Sequence, residues 1–428
     1  MDGCLDIRLL ASVDRSYIAP NNPTQVHVAL NIVSDTDSGS RSGSLPVSGF
    51  VLLDTSGSMA GEKLSNAKQA VIECLKHLGP TDTFTLLTFG GNIQFVINEQ
   101  RMDEASKSHA ISLLSPIDAN NGTPLHGALR AAREKIEQGL ESKGQVLKVI
   151  LLTDGLPGDV DPTKDLKRYT EISSALRTLG ATLVILPIGE DYNNEFLLKM
   201  YQAHEGGFYR YVERVESLPS IFEEIFRDSK NVVLPAAKVD VKSTRGVAIR
   251  KVYKLSPQVQ ELSVGQSPDG IQFLQLGDLT AGENQELCIQ AEVPARPVGE
   301  FREMSFTIPG LEGGLSAAAV VNRTEDAGLV RSRFDPIPEA RFREARDKLL
   351  VINHDNPAAL AELKKTILRY REDPGRMANL TPGHVEELES VVHYTELRGK
   401  GSPEDNKKNE TELRKSESRA TSLRKREQ

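Results

Sequence analysis

The chain has 428 residues, room for about three domains at the usual ~150 residues each. Lys plus Arg total 52 against 60 for Asp plus Glu, and a net charge of −8 leaves no overall footprint of nucleic-acid binding. Apolar residues reach 39%, yet no apolar run approaches the ~18 residues of a membrane helix, and Asp2 and Asp6 stand where a secretory leader would be basic. Three scattered cysteines, two of them on apolar faces, make neither a disulfide framework nor a zinc site. The expectation is a soluble protein of a reducing compartment, the cytoplasm, with no membrane span and no nucleic-acid partner.

Leu5, Ile7, Leu9, Ala11 and Val13 share one parity, as do Val26, Val28, Leu30 and Ile32 after a Pro/Asn turn, so 1–33 supplies two half-buried strands. Two strands alone are marginal in water and need a sheet from elsewhere. Residues 34–46 are a Ser/Gly/Asp linker. From 47 to 229 short apolar runs alternate with helical spacings. Strands are expected at 47–53, 84–89, 146–153 and 182–188, and helices at 62–78, 125–140, 163–179, 195–204 and 217–229. This alternation predicts an α/β fold, a doubly wound, mostly parallel sheet with helices on both faces.

Beyond 230 the strand period returns at Val239/Val241, Val247/Ile249, Leu287/Ile289/Ala291/Val293 and Met304/Phe306/Ile308. These strands, through about 330, are expected to pair with the two N-terminal ones in a β-sandwich that carries the α/β domain as an insertion. Helical spacing resumes over 331–398, through Ala340, Phe342, Ala345, Leu349 and Leu350, then Leu360, Leu363, Ile367 and Leu368, then a helix at 384–397. Residues 399–428 are charged and polar, and too poor in apolar side chains to offset their ordering entropy, so a disordered tail is expected.

The informative segment is Phe50-Val51-Leu52-Leu53-Asp54-Thr55-Ser56-Gly57-Ser58-Met59, a buried strand ending in a carboxylate and two hydroxyls. Ligands of open α/β sheets bind at the carboxyl ends of strands, where these side chains fall. A second strand, Val149-Ile150-Leu151-Leu152-Thr153, ends in Asp154 and would place it on the same rim. Between them Asn121-Gly122-Thr123-Pro124-Leu125 opens a helix, with Thr123 expected at its cap and Pro124 in its first turn. Oxygen donors of this kind suit a hard cation, Mg²⁺ first, with Mn²⁺ or Ca²⁺ as alternatives.

The arrangement resembles the von Willebrand factor type A domain and its metal-ion-dependent adhesion site: Asp-x-Ser-x-Ser at Asp54, Ser56 and Ser58, a distant Thr at Thr123, and an Asp after an apolar strand at Asp154. The resemblance covers 47–229. It implies that the two serines and the threonine bind Mg²⁺ directly, that the aspartates act directly or through water, and that an Asp or Glu of a partner protein completes the sphere. It also implies a non-enzymatic cytosolic scaffold, alongside a kinase and phosphatase or an ATPase system, with self-association through a protomer's own acidic residue open. Two other readings stand beside it, a metal site that only ties loops together and a Mg²⁺-dependent phosphoester hydrolase. Ser56 replaces the second aspartate a phosphotransferase would use, and no phosphate-binding Gly-x-x-x-x-Gly-Lys-Ser/Thr occurs. Asp82 is expected to be a turn residue and His126 a partly exposed helical histidine. His204-Glu205-Gly206-Gly207 reads as a helix end stopped by glycine, since the second histidine of a zinc-protease motif is missing.

Overall fold

The computed structural model describes residues 7–34, 44–139, 144–154, 157–188, 194–212, 214–311, 314–354, 356–372 and 384–397. Cys4, most of the linker and the tail from 399 lie outside them. In chain order β1 (Ile7–Val13), β2 (Tyr17–Ile18) and β3 (Thr24–Ser34) precede the alternating segment. That segment runs β4 (Val47–Asp54), α1 (Glu62–His77), β5 (Thr83–Phe89), β6 (Ile93–Arg101), α2 (Glu104–Leu114), α3 (Leu125–Gln138), β7 (Val146–Thr153), α4 (Leu166–Thr178), β8 (Ala181–Pro187), α5 (Asn194–His204), β9 (Phe208–Tyr209) and α6 (Leu218–Ser229). Then follow β10 (Val232–Ser243), β11 (Ala248–Ser256), β12 (Gln260–Leu262), β13 (Gly265–Gln266), β14 (Gln272–Thr280), β15 (Gln285–Val293), β16 (Gly299–Ile308) and β17 (Leu315–Arg323). Four helices close the described chain: α7 (Ala327–Ser332), α8 (Pro336–His354), α9 (Pro357–Glu372) and α10 (His384–Leu397).

The chain divides into two units, one of residues 40–236 with 276–281 and one of the remainder. In the first, the sheet order is β6-β5-β4-β7-β8-β9, with β4, β5, β7, β8 and β9 parallel and β6 an antiparallel edge. The fold is α/β, as expected. Side chains of β4 alternate between two cores because successive residues of a strand point to opposite faces. Val47, Val51 and Leu53 pack with Leu64, Val71 and Leu75 of α1 and Phe222 and Phe226 of α6. Phe50 and Leu52 pack with Leu125 and Leu129 of α3 and Tyr169 and Leu176 of α4. Burial on both faces explains why β4, β7 and β8 read as unbroken apolar runs. The edge strand β6 and helix α2 were not expected from the sequence. β6 is exposed along most of its length, and α2 buries only Ala110 and Leu114, so neither carries a strong period.

Residues 276–281 join the α/β unit although they lie far downstream of it in sequence. Asp278, on β14, accepts hydrogen bonds from Lys148 Nζ at 2.6 Å, Thr182 Oγ1 at 2.8 Å and the Ala236 N–H at 2.9 Å. Its burial opposes ionisation, but these partners hold the carboxyl below the usual carboxylate range. Nearby Gly206 and Gly277 take positive φ, and a Cβ on Gly277 would lie 2.5 Å from the Gly206 carbonyl oxygen, so neither position admits a side chain.

In the other unit the sheet order β1-β3-β15-β11-β12 brings the N-terminal strands beside strands more than 200 residues on. β3 pairs antiparallel with β1 on one side and with β15 on the other, Leu30 facing Leu287. A second sheet has the order β13-β14-β10-β16-β17-β2. Val247 lies just ahead of β11 rather than within it. Helices α8 to α10 contribute Phe342, Ala345, Leu363, Ile367, Leu388 and Val391 to a core with Tyr253, Val259 and Cys288. Leu368, expected on the buried face of α9, is exposed. Cys74 and Cys288 are buried free thiols whose pKa burial pushes up.

Candidate functional site

Strand β4 ends at Asp54 and the parallel strand β7 at Thr153, so Asp54 and Asp154 emerge on the same rim of the sheet. Register pairs Leu53 with Leu152, which sets Thr153 beside Asp54. The Thr153 hydroxyl donates to Asp54 Oδ2 at 2.6 Å, and the Ser56 N–H donates to Asp54 Oδ1 at 2.8 Å. Burial raises the Asp54 pKa, these bonds from Thr153 and Ser56 pull it back, and the Asp154 charge adds to the rise. Beyond Ser56 the chain turns through a short 3₁₀ segment (Gly57–Met59), and Met59 seats itself in the core beneath. That turn points Ser56 and Ser58 the same way: their hydroxyl oxygens are 3.0 Å apart, and Ser58 donates to Asp154 Oδ1 at 2.8 Å. Asp54, Thr55, Ser56 and Asp154 are buried, whereas Ser58 is open to solvent.

Thr123 arrives on a separate loop. The Asn120 N–H donates to the Thr55 carbonyl at 2.6 Å, tying that loop to the Asp54–Ser58 turn. Glycines let the strands of loop approach: a Cβ on Gly90 would meet Thr55 Oγ1 at 2.6 Å, and Gly122, at φ +98°, lies against the Gly90 carbonyl. Among the described residues, the Thr123 hydroxyl makes no hydrogen bond to the other four side chains. It does not cap the helix either. Helix α3 starts at Leu125, as expected, but its N-cap position is Pro124 rather than Thr123, and the Asp159 carboxylate takes the N–H groups of His126 at 3.2 Å and Gly127 at 2.7 Å. The cap comes from a loop 33 residues beyond His126, beyond the reach of any local spacing rule.

Lys63 is the side chain that sequence reasoning missed. It lies in the first turn of α1 and its ammonium stands 2.5 Å from Asp154 Oδ2. The donors of the rim are therefore two carboxylates and three hydroxyls, with one lysine already on a carboxylate. No cluster of three or more His, Cys, Asp or Glu able to hold a metal occurs among the described residues, so any ion held here must rest partly on hydroxyl oxygen.

Other candidates resolve as structural. Asp82 closes the expected turn, its N–H donating to the Gly79 carbonyl at 2.9 Å, and is buried, its carboxylate accepting from Val47 N at 2.8 Å and Gly79 N at 2.6 Å and paired with Lys230. His126 is half-buried, edge-on to Tyr169 at 5.6 Å, and burial lowers its pKa. His204 ends α5 as expected. It is buried, its Nδ1 lies 3.0 Å from the Ser173 carbonyl and its Nε2 accepts the Leu183 N–H at 3.0 Å, and burial pushes its pKa down to about 4.

Residues 50–224 match the family model described as the von Willebrand factor type A domain. An uncharacterized protein of Synechocystis is 27% identical over 289 residues, 67% of this chain and 66% of its own length. Mouse inter alpha-trypsin inhibitor heavy chain 4 is 29% identical over 200 residues, 45% of this chain but 21% of that protein. The chain thus spans just under two thirds of the first relative and about a fifth of the second. Among solved structures, a von Willebrand factor type A protein from Catenulispora acidiphila aligns over 96% of this chain and 97% of its own, with a TM-score of 0.72 at 18% identity. That likeness is one of fold. No helix among the described residues is long and apolar enough to cross a membrane.

Proposed function

We propose that this chain, whose residues 50–224 form a von Willebrand factor type A domain, is a metal-dependent protein-binding module. In this reading Asp54, Ser56, Ser58, Thr123 and Asp154 hold Mg²⁺, and an Asp or Glu of a partner protein binds the ion. The observation that carries it is the run Ser56 Oγ, Ser58 Oγ, Asp154 Oδ1, with successive separations of 3.0 and 2.8 Å. An octahedral ion with oxygens at about 2.0–2.1 Å has neighbouring ligands about 2.9 Å apart. These three oxygens already have that spacing, and the exposed Ser58 leaves the rim open to a partner.

The remaining residues serve the run. Thr153 and the Ser56 N–H engage both Asp54 oxygens. Asp54 therefore orients the serine turn and would reach a cation through water. With Asp154 the one carboxylate of the five side chains that this reading puts in direct contact, the ion keeps net positive charge and stays attractive to an incoming carboxylate. The bound Mg²⁺ would supply that attraction, while the glycines at 57, 90 and 122 keep the loops close enough to share it. We read the flanking sheets as the β-sandwich that carries the domain, and the buried thiols Cys74 and Cys288 suit a cytoplasmic scaffold.

Titration calorimetry with Mg²⁺ on the wild type and Asp54→Ala, followed by partner capture with and without EDTA, tests the reading. Saturable binding lost in the variant, with partner released by EDTA, is expected. Metal binding that raises the melting temperature while every partner survives EDTA would reduce the ion to a loop tie.

A further inference from the structure

We propose that Lys63 is a tethered cation that holds the adhesion site closed to metal until Mg²⁺ displaces it; this rests on the metal-binding reading above. Two independent features of the chain point to it. The first is geometric: the ammonium lies 2.5 Å from Asp154 Oδ2, while the other oxygen of the same carboxylate belongs to the Ser58–Ser56 run. One carboxylate thus serves a resident cation on one oxygen and the donor run on the other.

The second is the position of the lysine in its helix. Lys63 is the second residue of α1, and Gly61 at the N-cap makes no side-chain cap. A positive charge in the first turn opposes the helix dipole and is ordinarily disfavoured there. Pairing with Asp154 offsets that cost. A divalent ion on Asp154 removes the offset and adds like-charge repulsion, so the ammonium is pushed outward from both sides. It has somewhere to go, since its side chain is already 33% exposed. Glu62 beside it faces solvent and offers no competing trap in the site.

The pair gives the site a threshold. Metal must outbid a cation present at an effective concentration far above that of a free amine. Once displaced, Lys63 stands at the rim as a positive group beside the incoming carboxylate.

The test uses the full chain. Competitive acetylation followed by mass spectrometry compares Lys63 with Lys68, on the same helix, in EDTA and in saturating Mg²⁺. Lys63 labelling is expected to rise several-fold with Mg²⁺ in the wild type, and not in Asp54→Ala, while Lys68 stays constant. In calorimetry, Lys63→Met, which keeps the aliphatic stem, is expected to bind Mg²⁺ about tenfold more tightly, the scale of one charge-assisted hydrogen bond. Lys63→Arg should keep wild-type affinity or bind more weakly. Wild-type binding abolished by Asp54→Ala, with Lys63 labelling indifferent to Mg²⁺ and unchanged affinity in Lys63→Met, would overturn the proposal and leave the metal site standing. Uptake by neither the wild type nor Lys63→Met would overturn the site itself, and the lysine's role with it.

Discussion

Asp154 and Asp82 lie at opposite ends of the same parallel sheet, one after β7 and the other before β5, and each is a fully buried carboxylate paired with a partly exposed lysine. Their other partners differ. Asp82 accepts two backbone N–H groups, Val47 at the start of β4 and Gly79 in the turn before β5. Asp154 takes its second hydrogen bond from the hydroxyl of exposed Ser58. A backbone donor cannot turn away without moving a strand, whereas a hydroxyl and an ammonium can rotate out. The same pair of residue types therefore makes a fixed clasp at one end of the sheet and an exchangeable set of donors at the other.

The largest effect should come from breaking the clasp. Asp82→Ala strands two backbone donors and the Lys230 ammonium, and about 3 kcal/mol of stability is expected to go, read from urea unfolding. The folded fraction should still bind Mg²⁺; loss of binding there would merge the two ends into one unit. His204 sharpens the rule through pH, since both its nitrogens face backbone groups. Its folded pKa of about 4 lies below the ordinary value of 6.5. The stability it contributes is complete above about pH 6.5 and is lost as pH falls towards 4, up to ~3 kcal/mol at ~1.36 per unit. Wild type should weaken across that window, and His204→Gln, less stable at neutral pH, should show a shallower decline. Gly90→Ala, whose Cβ would lie 2.9 Å from the Thr55 carbonyl oxygen, should cost about 1–3 kcal/mol and weaken metal binding together with it. Ser58→Ala should be the mildest, within ~0.5 kcal/mol in thermal unfolding, yet should remove Mg²⁺ binding. A large stability loss there would make Ser58 another fixed partner.

Much of this was legible in the chain. The unbroken apolar runs of β4 and β7 announce strands buried on two faces, and their polar ends locate Asp54, Ser56, Ser58 and Asp154. The hydroxyl of Thr153 could have been found too, one register step from Asp54. Lys63 and Asp159 were not legible, because each acts across a loop on a residue distant in sequence, where neither periodicity nor capping rules reach. Strand β6 escaped for a different reason: an exposed edge strand buries too little to impose alternation. Thr123 illustrates the limit from the other side. Its motif position was plain, but the cap it was expected to provide is supplied by Asp159.

The anchoring of Asp278 sets a boundary on how this protein can be cut or made. Synthesis delivers Lys148 and Thr182 well before the carboxylate they bind, so a nascent α/β unit can complete these bonds only after Asp278 has left the ribosome. A fragment ending with α6 would carry the whole rim yet lack both the Asp278 peg that Lys148 and Thr182 grip and the Ala236 N–H that also binds it. Excision of the module for binding work therefore calls for the chain to be kept through Ala236 and for residues 276–281 to be grafted after a short linker rather than trimmed away.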